Sequence, residues 1–495
     1  MVRNSFRKSG FQSMGWALEG ESGSARFASI LLTSAVIALP AGAHRAMGQC
    51  APSQIVKVDN LGGANDWFGN KVAIQGDTAI VGAWLDDVGG VVDAGSAYVL
   101  VQSNTTWAWQ ATLSPAGATN FRRFGQAVDV FGDTVAVATQ QGSVYVFTRS
   151  GSSWTEQANL TAPDSGTGGG GGFGISVAVD GDTLAVGAHA DGNTEGAVYI
   201  FVRSGGIWTF QQKLIASDPE IVALMGISVD LEGDTLIAGA PGALSAFGTT
   251  GAAYVFTRVG TVWAEEQKLV PTSATDDFGT DVAISGETVV VGAPADNQAG
   301  GGAGAAFFYD RSGTTWTFQV KRMPNEVLVS GDNYGQSVAL YGDTAIIGAY
   351  RDEMNDWGSV WLLTRQGGAW SLGLKISAAD PGNQAEFGIS VGLEQDVAVV
   401  GAPLADALSS TNHGSAYFYD IRCDGACCVN GFCTRMSLGD CNAVGGVFQG
   451  LATNCTGVMC APQDCCPGDM NGDLILNGLD VQPFVTLMLQ GGVCP

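Results

Sequence analysis

The sequence predicts an all-β protein: a seven-bladed β-propeller of four-stranded blades, followed by a small disulfide-rich module and a short calcium-loop/helix tail. Three observations support this architecture. One pattern recurs seven times at spacings of 49 to 56 residues. Glycine is abundant, with 72 residues and no collagen period, which is typical of many tight turns. Ten of the eleven cysteines lie between Cys423 and Cys494.

Each copy of the repeat begins with an aromatic-Gly pair, weakened to Met-Gly in the fourth copy. The pairs are Phe68-Gly69, Phe124-Gly125, Phe173-Gly174, Met225-Gly226, Phe278-Gly279, Tyr334-Gly335 and Phe387-Gly388. Eight residues after each glycine comes an acid: Asp77, Asp133, Asp182, Asp234, Glu287, Asp343 and Asp396. A fixed offset in seven copies indicates one structural unit repeated seven times.

The third copy shows the four strands that each unit predicts. Ile175–Val179 alternates in polarity and leads through a Gly-Asp hairpin to Leu184–Ala188, which ends in Gly-Ala. A bulky residue at that glycine would hinder the approach of the next blade. Ala197–Val202 is aromatic and β-branched, and Trp208–Leu214 completes the unit. A solenoid is the alternative, but seven copies without atypical capping repeats favour a closed ring.

The two ends of the repeat region predict how the ring closes, within residues 51–422. The last unit stops after its third strand, Ser415–Ile421, and lacks the Trp strand. The orphan Gln54–Asp59 precedes the first unit, and we expect it to be the fourth strand of the seventh blade. Antiparallel pairing would then bring Cys50 close to Cys423, where a disulfide would close a very long loop.

Charged residues separate onto the two faces of the predicted ring. The arginines that end the third strands should pair with the Gly-Asp turns on one face: Arg149, Arg203, Arg258, Arg311 and Arg365. The other face collects acids, relieved mainly by Arg122 and Arg123: Asp66, Asp86, Asp191, Asp218, Asp276, Asp277, Asp296, Asp352, Asp380 and Asp406. We expect solvated loop acids that make Asx-turns, although an acidic face could also bind cations or a sugar.

The repeat resembles a known family. Phe278-Gly279…Gly292-Ala293-Pro294 and its counterpart in the seventh copy are similar to the FG-GAP repeat of integrin-α-like propellers, most closely to its bacterial secreted branch. The resemblance implies the propeller fold. Integrin-type repeats often carry a D-x-D-x-D-G calcium loop between the first two strands. Here that hairpin has only Gly-Asp, as at Gly181-Asp182, so those calcium sites do not carry over.

Residues 1–43 read as a secretory signal peptide, which predicts a secreted, extracellular or cell-surface protein. Basic residues precede the apolar run Phe27–Pro40, and small residues follow it at Ala41–Ala43. The run is shorter than the roughly 20 residues of a membrane span, and no other run could span a bilayer. A lipoprotein signal ending at Cys50 is the alternative. The formal charge of −25 argues against nucleic acid as a partner.

Residues 423–461 form a Cys-rich module with little apolar content. Its six cysteines follow the pattern CC-x4-C-x7-C-x13-C-x4-C: Cys427, Cys428, Cys433, Cys441, Cys455 and Cys460. Three disulfides would compensate for the small core, in a connectivity that the spacing leaves open. Zinc is the alternative, but the module has no histidine and lacks paired CxxC spacing.

The tail, residues 462–495, resembles a single dockerin type I repeat. Oxygen ligands fall at loop positions 1, 3, 5, 7, 9 and 12, with a backbone carbonyl at position 7: Asp469, Asn471, Asp473, Ile475, Asn477 and Asp480. Calcium is therefore the predicted cofactor, and a cohesin-like or envelope protein the implied partner. Two features depart from the family: Leu474 replaces the glycine of position 6, and only one repeat is present.

No catalytic constellation rises above the repeat pattern. Gly388–Gly392 matches the G-x-S-x-G elbow but is ordinary repeat strand, and the repeated tryptophans should pack between blades. We therefore expect a secreted, non-catalytic recognition or adhesion protein with an extracellular protein or polysaccharide ligand. One alternative is an exported polysaccharide-active enzyme or an accessory component of polysaccharide degradation. A second is a structural cell-envelope protein.

Overall fold

The computed structural model describes most of residues 52–421, together with three strands between 425 and 451. Within the first range, 60–64, 104–105, 116, 118, 166–169, 246–247, 274–276, 299–300, 325–330, 353–355, 381–383 and 406–412 lie outside the description. The predicted signal peptide and the predicted calcium tail also lie outside the described residues. So do all the cysteines except Cys427, Cys428 and Cys433.

The described chain forms seven antiparallel sheets of four strand positions, which are the seven predicted blades. After β1 (Ser53–Asp59), blade 1 holds β2 (Phe68–Gln75), β3 (Thr78–Ala83), β4 (Ser96–Ser103) and β5 (Thr106–Leu113). Blade 2 holds β6 (Phe124–Phe131), β7 (Thr134–Thr139), β8 (Ser143–Ser150) and β9 (Ser153–Leu160). Blade 3 holds β10 (Phe173–Asp180), β11 (Thr183–Ala188), β12 (Ala197–Ser204) and β13 (Ile207–Leu214).

The remaining blades repeat the same order with local changes. Blade 4 holds β14 (Val229–Glu232), β15 (Thr235–Ala240), β18 (Ala252–Val259) and β19 (Val262–Leu269), with an added hairpin of β16 (Leu244–Ser245) and β17 (Gly248–Thr249). Blade 5 holds β20 (Val282–Ser285), β21 (Thr288–Ala293), β22 (Ala305–Ser312) and β23 (Thr315–Arg322). Blade 6 holds β24 (Ser337–Tyr341), β25 (Thr344–Ala349), β26 (Ser359–Gln366) and a divided fourth strand, β27 (Ala369–Trp370) and β28 (Leu374–Ile376). Blade 7 holds β29 (Ser390–Glu394), β30 (Val397–Ala402) and β31 (Ser415–Asp420).

The N-terminal strand completes blade 7, as predicted. β1 pairs antiparallel with β31, and Ser53 lies opposite Asp420. The strand is one residue longer than the predicted Gln54–Asp59. Its apolar residues pack with Phe418 and with the first blade, so the chain's first and last repeats share one core. The ring is therefore closed by the N-terminal segment.

The core lies between successive blades. In one cluster, Ile237 and Val255 of blade 4 pack with Phe278 and Phe307 of blade 5. The rings of Phe278 and Phe307 meet edge to face at 5.1 Å. Met225 takes the aromatic position of blade 4 and is fully buried. Each blade thus covers the apolar face of its neighbour.

Glycines allow the blades to approach closely, as the repeat predicts. A Cβ built on Gly239, near the end of β15, would lie 2.0 Å from the carbonyl oxygen of Gly279 in blade 5. The equivalent glycines of five other blades meet the next blade in the same way. In blade 2 the position is Ala138, whose Cβ would lie 3.1 Å from a Cβ on Gly174.

Three further strands follow the ring: β32 (Gly425–Val429), β33 (Phe432–Met436) and β34 (Val447–Leu451). They form one antiparallel sheet with β32 in the centre. These strands fall inside the predicted Cys-rich module; its disulfides stay a prediction.

Candidate functional site

The blades give the ring two faces with different chemistry. The hairpins joining first to second and third to fourth strands lie on one face, the hairpin face. The loops between second and third strands and the connections between blades lie on the other, the loop face. First strands line a central channel of about 870 Å³ that runs between the two faces.

The hairpin face carries the predicted Asp–Arg pairs. Arg258 donates from Nε to Asp234 at 2.6 Å, and its guanidinium lies 5.0 Å from the Trp263 ring centre. Arg149, Arg203 and Arg365 make the same 2.6 Å pair with Asp133, Asp182 and Asp343. The tryptophans of this position pack at the blade contacts, as predicted; Trp263 is 2% exposed.

A link between blades at this face was not predicted. Arg258 Nη1 donates at 2.8 Å to the hydroxyl of Thr183, which belongs to the preceding blade. Arg203 reaches Thr134 in the same way. The available signal was the threonine that follows the hairpin acid, because it recurs in six of the seven repeats.

Blade 5 is an exception on the hairpin face. Its acid is Glu287, and Arg311 Nε lies 3.9 Å from the Glu287 carboxylate instead of 2.6 Å. The guanidinium donates from Nη2 to Glu266 at 2.8 Å. The longer glutamate side chain therefore replaces the usual pair with a different one.

The acids of the loop face correct the sequence prediction. Five of them are buried rather than solvated: Asp66, Asp86, Asp191, Asp296 and Asp352. Lys213 and Lys321 each donate at 2.8 Å to the loop acid of the same blade, Asp191 and Asp296. Lys375 reaches Asp352 at 2.9 Å. Asp277 is exposed, as predicted, and Asp276 and Asp406 lie outside the described residues.

The source of positive charge was also predicted wrongly. Blades 3 to 7 each place a lysine at one position of the fourth strand, where it meets the acids: Lys213, Lys268, Lys321, Lys375 and Lys57. The predicted relief, Arg122 and Arg123, lies at blades 1 and 2, where Arg122 donates to the Tyr145 hydroxyl at 2.9 Å and Arg123 to Gln140 at 2.8 Å. The spacing of the lysines can be seen in the sequence. The residues that lie beside them on neighbouring strands cannot.

Tyrosines of the third strands complete these clusters. The hydroxyls of Tyr199 and Tyr254 donate to loop acids, and Tyr254 reaches Asp218 at 2.9 Å. Burial raises the pKa of Asp218, but hydrogen bonds from Lys268 and Tyr254 outweigh it and hold that pKa below its usual value. Burial and the carboxylates raise the pKa of Tyr199. These bonds fix the bases of the loops to the sheets.

The channel wall carries carboxylates that satisfy backbone donors of the neighbouring blade. The N–H of Val179 donates to Asp129 at 2.6 Å, and the N–H of Ile284 donates to Asp230 at 2.7 Å. Burial raises the pKa of both carboxyls to about 7, and these hydrogen bonds only partly offset it. First strands are sheet edges, so the acids pair donors that would otherwise lack a partner.

Blades 1 and 2 form a distinct sector at the loop-face mouth of the channel. Asn70, Lys71, Trp84, Gln126 and Gln140 line the channel there. Trp84 and Gln140 come directly after second strands, where blades 4, 5 and 7 have Pro241, Pro294 and Pro403. In this sector, side chains with polar groups therefore stand where three other blades have proline.

Residues behind the channel wall hold Trp84 in place. The Arg123 guanidinium lies 5.3 Å from the Trp84 ring centre. The same guanidinium donates from Nη1 to Gln140 at 2.8 Å. Trp67 packs against Trp84 at 5.6 Å between ring centres. Sequence reasoning missed this cluster because its members come from two blades.

The remaining sequence candidates have structural roles or lie outside the description. Ser390 of the G-x-S-x-G match donates to the Gly69 carbonyl at 2.9 Å, and Ser337 makes the same bond to Gly388. Burial lowers the pKa of His189. No group of three or more potential metal ligands occurs among the described residues. The predicted calcium ligands, Asp469 to Asp480, lie outside those residues.

The ring, its repeat and the two faces define a seven-bladed propeller with inward-facing glycine-aromatic motifs. A family model described as the FG-GAP repeat matches residues 58–100, 154–201, 208–256, 263–309, 316–363 and 370–419. These six matches cover more than half of the chain, which belongs to the FG-GAP repeat family. They leave out 101–153, which contains most of blade 2. No curated protein matches the chain. In the part of the chain that is described, no helix is long and apolar enough to cross a membrane.

Proposed function

We propose that this chain is an exported, non-catalytic recognition or adhesion protein whose ligand binds the loop face of the propeller. The observation that supports this most directly is that Asp–Lys pairs in blades 3 to 7 anchor the loops to the fourth strands. Such pairs fix the loop backbone while neighbouring side chains differ from blade to blade. A rigid scaffold with variable surface residues suits recognition because little conformational freedom is lost on binding.

The proposed ligand is an extracellular protein or a polysaccharide. The predicted signal peptide at 1–43 and the cysteine-dense segment support export. Binding of the purified full chain to immobilised polysaccharides and extracellular matrix proteins tests the proposal. Saturable binding that a loop-face substitution weakens is the expected result. Binding that changes only with hairpin-face substitutions would contradict it.

The C-terminal segment is proposed to attach or assemble the protein in a calcium-dependent way, through a cohesin-like or envelope partner. Asp469, Asn471, Asp473, Asn477 and Asp480 would supply side-chain oxygens, and the donor set suits a hard cation. Calcium titration of the full chain by calorimetry should show one site that Asp469→Ala and Asp480→Ala abolish. Asp182→Ala, on the hairpin face, is the control. Calcium heat that survives both tail substitutions would place the cation elsewhere.

An exported polysaccharide-active enzyme is the competing function. A hydrolysis screen on the same polysaccharides distinguishes the two classes. Turnover that a single loop-face substitution abolishes would replace the recognition proposal with an enzymatic one.

A further inference from the structure

We propose that the loop-face mouth of the channel in blades 1 and 2 binds a neutral oligosaccharide. This inference rests on the proposed recognition function and assigns a place and a ligand class to it. The site consists of Asn70, Lys71, Trp84, Gln126 and Gln140, all of which line the channel. The site is one part of the central channel, whose whole volume is about 870 Å³ and which is open at the face.

The sector differs from most of the ring in residue type at several equivalent positions. The residue after the second strand is Trp84 or Gln140, where blades 4, 5 and 7 have proline and blades 3 and 6 have His189 and Tyr350. The loop-clasping lysine of the fourth strand becomes Thr112 in blade 1 and Asn159 in blade 2, opposite Tyr98 and Tyr145. The repeat model also passes over 101–153. The blades keep their strands, so the departures change the surface and not the fold.

Within the described residues, three polar atoms of this sector lack hydrogen-bond partners. Trp84 Nε1, Arg123 Nε and Gln126 Oε1 are shielded from solvent, and within the described residues none has a hydrogen-bond partner. Each such group costs about 1–3 kcal/mol when it stays unpaired. Two are donors and one is an acceptor. Trp84 and Gln126 line the channel, so a small rotation of either side chain would turn its polar atom to a ligand hydroxyl, which both donates and accepts. Arg123 lies behind the wall and is not counted as a ligand contact.

Neighbouring side chains hold the Trp84 indole in place. Arg123 covers Trp84 from one side and Trp67 packs against it, while Trp84 itself lines the channel. The ring is thus positioned before any ligand arrives, which lowers the entropy cost of binding. An indole offers an apolar surface to the C–H groups of a pyranose and an N–H to its hydroxyls.

The charge of the protein and of the channel mouth favours a neutral ligand. The formal charge of −25 repels anionic ligands from the protein as a whole. At the mouth itself, Lys71 and Arg123 oppose a cationic ligand. Burial raises the pKa of Asp281, and the Lys71 charge offsets that rise only in part. A neutral saccharide avoids both penalties and still uses the amides of Asn70, Gln126 and Gln140.

The test is calorimetry of the full chain with cellohexaose, mannohexaose, xylohexaose and N-acetylchitohexaose, with an oligogalacturonate as the charged comparison. We expect at least one neutral probe to bind. Trp84→Ala and Gln126→Leu should each weaken that binding by roughly tenfold or more, which corresponds to about 1.4 kcal/mol. Gln126→Leu keeps the side-chain volume and guards against a Trp84→Ala variant that fails to fold.

Blade 6 offers matched controls, because Tyr350 and Gln336 occupy the positions of Trp84 and Gln126. Tyr350→Ala and Gln336→Leu should leave the affinity within about twofold. Equal affinity in the blade 1–2 variants and the wild type would overturn the site while leaving recognition intact. Binding of the oligogalacturonate alone, or of no saccharide, would overturn the ligand class. The recognition proposal fails only if binding to extracellular proteins is also absent.

Discussion

Asp129 and Asp230 place acidic groups where the channel wall shields them from bulk water. Each accepts a backbone N–H from the next blade, yet burial outweighs that bond and raises the carboxyl pKa to about 7. Asp180, Asp281 and Glu232 add negative charge nearby. At neutral pH the wall therefore holds carboxyl groups that would be more stable protonated.

This arrangement predicts a pH-dependent stability. Between the unfolded value of 3.8 and about 7, the folded chain retains protons that the unfolded chain has released. The free energy of unfolding should therefore fall as pH rises through that window and level off above it. Asp129→Asn and Asp230→Asn keep an oxygen acceptor for Val179 and Ile284 but cannot ionise.

Each variant should lose part of this slope and should be more stable relative to the wild type at pH 8 than at pH 4. Urea unfolding at fixed pH values from 4 to 8 measures the slope. Parallel curves for the wild type and both variants would show that these carboxyls do not carry the effect.

The contact between blades is the element on which the ring depends. Glycine near the end of the second strand admits the carbonyl of the next blade's aromatic-Gly pair. Gly239 has no left-handed backbone strain, so only the space beside it matters: a Cβ would lie 2.0 Å from the Gly279 carbonyl oxygen. Backbone cannot move aside as easily as a flexible side chain.

Gly239→Ala should therefore lower the free energy of unfolding by about 1–3 kcal/mol or more. Gly392→Ala is the matched control. Its Cβ would lie 2.9 Å from a Val399 methyl and 3.2 Å from an Ile74 methyl, with the nearest backbone atom at 3.6 Å, and four other blades carry alanine at that position. We expect a change within about 1 kcal/mol there. Thermal and urea unfolding measure both, and an undisturbed Gly239→Ala variant would mean that neighbouring blades separate readily.

The strands could be predicted because each repeat contains its own hairpin residues and its own pattern of apolar and polar residues. The seventh hairpin has Gln395 in place of glycine, and it adopts φ 47° there. The divided fourth strand of blade 6 was not predicted, since the break at Gly373 interrupts a pattern that its neighbours keep. The hairpin β16–β17 was missed because two-residue strands leave no periodicity.

At the scale of the whole molecule, ring closure was predictable and the candidate site was not. The last repeat lacks a fourth strand, and an unassigned strand precedes the first repeat. Together they predict that the N-terminal strand completes the last blade. By contrast, the Lys213–Asp191 pair and the Trp84–Arg123–Gln140 cluster depend on which strands become neighbours. Charge and residue type along the chain do not contain that information, so five of the loop acids were wrongly predicted to be solvated.

Closure also bears on the predicted disulfide between Cys50 and Cys423. Ser53 pairs with Asp420 and Gln54 with Tyr419 at the end of the β1–β31 ladder. Cys50 precedes Ser53 by three residues, and Cys423 follows Asp420 by three. The same register, continued, would set the two cysteines opposite each other. Opposing residues of an antiparallel pair have Cα atoms about 4.5–5.5 Å apart, which suits a disulfide.

Cys50→Ser should then lower the free energy of unfolding by about 3–5 kcal/mol in the oxidised protein, because the bond would close almost the whole ring. The difference should vanish under reducing conditions, which is the internal control. Peptide mapping of the unreduced chain should recover Cys50 and Cys423 in one linked fragment. A free or lipid-modified Cys50 would contradict the disulfide. The ring would then be closed by non-covalent contacts, including the β1–β31 hydrogen bonds, the Lys57–Asp380 pair and the apolar contacts of β1.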